Sequence, residues 1–185
     1  VRFVWLERIA IALCSVALAS FLIALVSGYF TGHDIAQVAG DTAVGYRFPD
    51  QGDALLSPGT LRPPYDSEPP TSGPHLPLSV RRDEAELNDN QILQALSVGD
   101  VLFVYGTRRA PRGLKALATR IAGAPFSRSL SASGLAVILV RRPGTRGVLA
   151  LAWRRMLPLH KVDPILLSAF AQSWLGRGAR ASQRG

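Results

Sequence analysis

Twenty-two consecutive residues, Ile9 to Phe30 (IAIALCSVALASFLIALVSGYF), carry no charged side chain. About 20 apolar residues, rising 1.5 Å each, cross the hydrocarbon core of a bilayer, where backbone polar groups must be satisfied within the segment. The run is therefore expected to be a transmembrane helix. Trp5 precedes it and Tyr29 lies at its far end, where amphipathic aromatics favour the interface. Arg2 and Arg8 come before the span, whereas Arg47 is the only Lys or Arg between Thr31 and Thr60. The positive-inside rule places residues 1–8 in the cytoplasm and the bulk of the chain beyond the membrane. Ala17-Leu18-Ala19 resembles a leader cleavage site, but it sits in the middle of the apolar run rather than after it. An uncleaved anchor is thus expected, with Cys14 as a small apolar filler. Its serines and alanines offer positions of close approach for another helix.

The remainder is about one domain long. One cysteine in 185 residues excludes a disulfide framework, a cysteine-rich zinc site or an iron–sulfur cluster held by this chain alone. Charge is unevenly divided. Residues 1–100 carry 6 Lys/Arg and 12 Asp/Glu, while residues 101–185 carry 15 and 1. Such a gradient points to a basic surface meeting something anionic, with an arginine-rich solvated surface as the plain alternative.

Residues 31–80 are punctuated by Gly and Pro, which break regular elements. This stretch reads as a flexible spacer, or as an arm whose Leu55, Leu56, Leu61 and Tyr65 pack on a partner, with residues 31–62 as the extended linker that precedes the domain. Regular patterns follow. Asn88-Asp89-Asn90 caps a helix over Gln91–Val98. Val101–Tyr105 is an apolar run of strand length, and Pro111 opens a helix through Ile121. Leu135–Val140 and Val148–Trp153 are two more strands, expected to pair as a hairpin across the loop 141–147. Asp163-Pro164 opens a last helix, with Ile165, Leu166, Ala169, Phe170, Ser173 and Trp174 expected on its inner face. The order α-β-α-β-β-α predicts a small layered α/β or α+β domain over 63–178, with a basic tail at 179–185.

Chemistry-bearing patterns are sparse. No glycine-rich phosphate loop follows a strand. A metal site needs three or four ligands, and His33, His75 and His160 are far apart in the sequence. His75, in a rigid Pro/Gly loop, is the one candidate metal or acid/base residue, and a structural histidine is its plainer reading. Arg108, Arg109, Arg112, Arg141, Arg142 and Arg146 form a candidate anion-binding or docking face, joined in the basic half by Arg154 and Arg155. They lack the interleaved aromatics of a nucleic-acid platform. Trp153 and Trp174 read as core aromatics.

The string Tyr65-Asp66-Ser67-Glu68-Pro69-Pro70-Thr71-Ser72-Gly73-Pro74-His75-Leu76-Pro77 closely resembles the signature of the DUF3105 family of bacterial, often membrane-anchored proteins. The resemblance runs on through Val101–Tyr105, Ala152-Trp153 and the last helix. That family's second motif has the form H-x-L-E-H-G. Here the matching stretch is Gln94-Ala95-Leu96-Ser97-Val98-Gly99, with Gln94, Ser97 and Val98 at the positions of His, Glu and His. In relatives, the resemblance implies that these groups and the loop histidine can meet as a metal or acid/base cluster. In this chain only His75 remains, so the resemblance implies the fold and the anchored topology rather than that chemistry.

The expectation is a non-catalytic, single-span accessory subunit of a bacterial membrane complex, photosynthetic or respiratory. Its domain would dock on the periplasmic side of the inner membrane, without a cofactor. Its partners would be integral membrane subunits and lipid, not nucleic acid. Two alternatives stand beside it: a metal-binding or enzymatic envelope protein centred on His75, and an envelope protein binding anionic lipid or polymer.

Overall fold

The computed structural model describes residues 45–62 and 64–179. The expected span Ile9–Phe30, the first part of the linker and residues 180–185 lie outside the described residues. Among the described residues, no helix is long and apolar enough to cross a membrane.

These residues form a mixed α+β domain with a five-stranded sheet and four helices. In chain order they are β1 (Tyr46–Arg47), α1 (Asp89–Val98), β2 (Val101–Tyr105), α2 (Leu114–Ala122), α3 (Arg128–Ala132), β3 (Val137–Arg141), β4 (Val148–Ala152), β5 (Arg155–Leu159) and α4 (Pro164–Trp174). The strands lie in the order β1-β5-β4-β2-β3. Only β2 and β3 run parallel; the other neighbours are antiparallel.

β2 is buried along its whole length, because both faces of the sheet are covered. Val101, Phe103 and Tyr105 point to the layer of α2 and α4, with Leu114, Leu117, Leu167 and Phe170. Leu102 and Val104 point to the layer of α1, with Ile92, Leu93 and Leu96. The period of two along the strand thus feeds two cores. Each fully buried large apolar side chain contributes about 1.5–3 kcal/mol.

Local chemistry sets the helix boundaries. Asn88 caps α1 through the Gln91 N–H at 3.0 Å, and the Gln91 side chain accepts from the Asn88 N–H at 3.2 Å, completing a capping box. Asp163 accepts from the Ile165 and Leu166 N–H groups, with Pro164 in the first turn of α4. α2 starts later than Pro111 suggests, after Gly113.

The hairpin expected between Leu135–Val140 and Val148–Trp153 does not form. β2 lies between these strands, since a strand buried on both faces also needs a neighbour on each side. β4 instead pairs with β5 across the two-residue turn Trp153-Arg154, where Arg154 takes φ 62°. β5 was not expected at all: Pro158 argues against a strand. β1 reaches only Arg155 and Met156, so Pro158 lies beyond it, where the ladder asks for no donor from that edge. The inner face of α4 is also rotated from the expected one. Leu167, Phe170 and Ala171 are fully buried, while Ile165 is 55% exposed. The helix is apolar nearly all round, so spacing alone does not choose a face.

β3 is an edge strand sealed by the loop before α1. Asp83 accepts from the Leu139 N–H at 2.8 Å, the Glu84 N–H donates to the Leu139 carbonyl at 2.9 Å, and the Arg141 N–H donates to Ala85 at 3.0 Å. These bonds occupy groups that would otherwise template another strand.

Candidate functional site

The Thr71–His75 loop fastens the arm that precedes it. The Ser72 hydroxyl donates to the Pro49 carbonyl at 3.1 Å and accepts from the Gln51 N–H at 3.2 Å. The Gly73 N–H donates to Gly52, the His75 N–H to Ala54, and the Leu56 N–H to His75, all within 3.0 Å. The Tyr65 hydroxyl donates to the Pro74 carbonyl at 2.9 Å. A Cβ at Gly73 would stand 2.8 Å from the Tyr65 ring, and the residue has φ 134°, so glycine is required there. The loop is tied to the sheet as well: the Arg154 N–H donates to Thr71 at 2.9 Å, and the Phe48 N–H to Arg154 at 3.0 Å.

His75 is fully buried in this weave. Its Nδ1 lies 2.9 Å from the Gly73 carbonyl, which can only accept, so Nδ1 carries the proton. Among the described residues, no group of three or more His, Cys, Asp or Glu is placed to hold a metal ion. Gln94 and Val98 line a recess of about 390 Å³ with Ser79, Arg81, Arg128 and Ser131, and His75 is not in that lining. Ser97 is fully buried and donates to the Gln94 carbonyl at 3.0 Å.

The arm's apolar residues divide. Tyr65 packs under the α1 layer, with the Arg62 guanidinium 4.6 Å over its ring. Leu56 is half-buried, while Leu55 is 52% and Leu61 95% exposed. The arm is therefore fixed to its own domain while two of its leucines face outward.

The basic loops divide too. β2 and β3 are parallel neighbours, so the loops that follow them lie at one end of the sheet. Arg108, Arg109, Arg112 and Arg146 are exposed there, and none makes an ion pair among the described residues. Arg141 and Arg142, expected on the same anion-binding face, turn inward to carboxylates of the acidic half. Arg141 pairs with Glu86, and Arg142 with Glu68 and Asp89, the latter also held by Arg62 at 3.3 Å. With Lys115 and Arg154, that makes four cations of the basic half paired with carboxylates of the acidic half among the described residues.

The opposite end of the sheet holds a second basic site. Arg47, Arg154, Arg155 and Arg177 surround Trp153 and Trp174 in a recess of about 510 Å³. The Arg155 guanidinium lies 4.4 Å over the Trp174 ring. Desolvation, together with the charges of Arg47 and Arg154, pushes the Arg155 pKa down. Trp153 is a core residue as expected, but Trp174 is half-buried at the wall of this recess. The sequence held Arg154-Arg155 in plain view. Their gathering with Arg47 and Arg177 depends on β1 and β5, neither of which the sequence pattern announced.

A layered α+β domain whose histidine loop bolts down its own N-terminal arm defines the class of protein. The family model of DUF3105, a protein of unknown function, matches residues 61–184, and the chain belongs to that family. No curated protein and no solved structure matches the chain.

Proposed function

We propose that the chain is a non-catalytic, single-span accessory subunit of a larger bacterial membrane complex. Ile9–Phe30 anchors it in the inner membrane with the N-terminus in the cytoplasm, and the domain docks on a periplasmic face of its host. The observation that carries this reading is the fixed arm. Ser72, Gly73 and His75 hold residues 49–56 by hydrogen bonds, and the arm so held turns Leu55 and Leu61 to solvent. Ordered apolar side chains without cover suit the core of an interface, and the exposed arginines Arg108, Arg109, Arg112 and Arg146 suit its charged rim.

The test is gentle extraction of the full-length chain from native membranes, at native expression, followed by native electrophoresis and mass spectrometry. Stable co-migration with integral membrane proteins is expected. A monodisperse monomer with no enriched partner overturns the reading.

A further inference from the structure

We propose that the recess formed by Arg47, Trp153, Arg154, Arg155, Trp174 and Arg177 is a binding site for a phosphate group. This holds whether or not the chain is a subunit. Arg47 and Arg155 are direct cross-strand partners in the β1–β5 pair. Like charges placed opposite each other weaken a sheet pair, and Arg154 adds a third cation next in the chain. Among the described residues, the only ion pair this group makes is Arg154 with Asp50, at 3.3 Å. Arg47, Arg155 and Arg177 make none there, so among the described residues the cationic excess at the recess has one carboxylate against four guanidinium groups.

The backbone that carries the cations is also held in place. β-pairing fixes Arg47 opposite Arg155. Arg155 lies on the Trp174 ring, and its guanidinium is partly desolvated there. Arg154 is tied by its backbone to Thr71 and Phe48. The segment carrying Arg177 is seated against the end of α1. The Gly176 N–H donates to Gly99 at 2.9 Å, and a Cβ at Gly178 would collide with the Ser97 carbonyl and the Gly99 nitrogen. Guanidinium forks carried on a fixed backbone match the oxygens of phosphate, and several lining one recess favour a phosphoryl group over a lone carboxylate. The indole walls supply an apolar side against which the rest of an organic phosphate can lie. A lipid headgroup and a free phosphate ion share this chemistry.

The test uses the full-length chain in a neutral detergent at constant ionic strength. Two probes are titrated by calorimetry: inorganic phosphate, and dihexanoyl phosphatidylglycerol below its micellar concentration. Saturable binding of at least one is expected, weakened about tenfold or more in Arg155→Gln and again in Arg177→Gln, the latter a surface change that leaves the core untouched. Tighter binding of the short-chain lipid assigns a membrane headgroup, and tighter binding of inorganic phosphate assigns a soluble anion. Arg120→Gln, exposed on α2, should bind like the parent. The proposal fails if neither probe saturates, or if Arg120→Gln loses as much affinity as Arg155→Gln and Arg177→Gln. Either result leaves the search for partner subunits unaffected.

Discussion

The Asp100 carboxylate, at the head of β2, accepts a hydrogen bond from the Ser131 hydroxyl 31 residues away, and both side chains are buried. Its other oxygen accepts from the Ala136 N–H at 2.9 Å. Together these contacts pin the entry of β3 to the entry of β2 and so set the parallel register. Burial pushes the carboxyl up to about 7, and the two hydrogen bonds only partly oppose that shift.

A pH dependence of stability follows. The folded state keeps a proton that the unfolded chain releases near its ordinary carboxyl pKa of 3.8. The contribution is complete below that value and is lost as pH rises through about 7. Asp83, also raised by desolvation, adds in the same direction. Denaturant melts from pH 5 to pH 8 should therefore show stability falling by a few kcal/mol. Asp100→Asn mimics the protonated side chain, accepting from Ala136 and donating to Ser131. It should flatten most of that slope and be the more stable protein at pH 8. An unchanged slope in Asp100→Asn would show that another group titrates.

The second prediction concerns the histidine loop. Ser72→Ala leaves the Gln51 N–H without its acceptor and the Pro49 carbonyl without its donor, a loss of about 1–2 kcal/mol. Gly73→Ala must push the Tyr65 ring away and hold φ 134°, for a loss of at least about 2 kcal/mol. Hydrogen exchange at the Leu56 and His75 amides, which tie arm to loop, should accelerate in Ser72→Ala before the sheet amides do. Equal acceleration throughout would mean that the loop is not a local clasp.

The sequence was informative where one side chain decides the outcome locally. Asn88 and Asp163 announced their helices, and VLFVY announced a strand. It was silent where the decision is made at a distance. Arg141 and Arg142 look like free cations until the fold brings Glu86, Glu68 and Asp89 to them. The Trp153-Arg154 turn has no Gly or Asn to mark it, and Pro158 hides the strand that follows. The basic recess was lost with those two elements, because two of its cations sit on β1 and β5.

Membrane topology gives the third prediction. If Ile9–Phe30 is an anchor with the N-terminus inside, trypsin added to intact spheroplasts should reach the domain. Its first cuts should fall at Arg108, Arg109 and Arg112, which are exposed in the loop between β2 and α2. Arg142 should resist whatever its ion pairs, because Pro143 follows it, whereas Arg141, paired with Glu86 at the end of β3, should be cut only later. A domain fully protected in intact spheroplasts, and cut only after lysis, would reverse the orientation.

The last prediction separates docking from internal repair. Substituting Arg141 or Arg142 removes ties to Glu86, Glu68 and Asp89, so a weakened complex in such a variant would report a loosened arm as readily as a lost contact. Those ties are partly exposed pairs, each contributing at most about 1 kcal/mol. Arg108, Arg109, Arg112 and Arg146 make no such ties among the described residues, so their replacement by Ser should leave the melting temperature nearly unchanged. A single span and a small docking face are each weak, but tethering raises the effective concentration of the second contact and gains on the order of 10²–10⁴ in avidity. The fourfold Ser variant should therefore stay membrane-bound and dissociate from its complex at lower salt than the parent. Deleting residues 1–30 should release the domain outright, and Leu55→Ser with Leu61→Ser should weaken association without that salt dependence. Retention of the parent's salt midpoint by the arginine variant would remove the basic loops from the interface and leave the two leucines as its test.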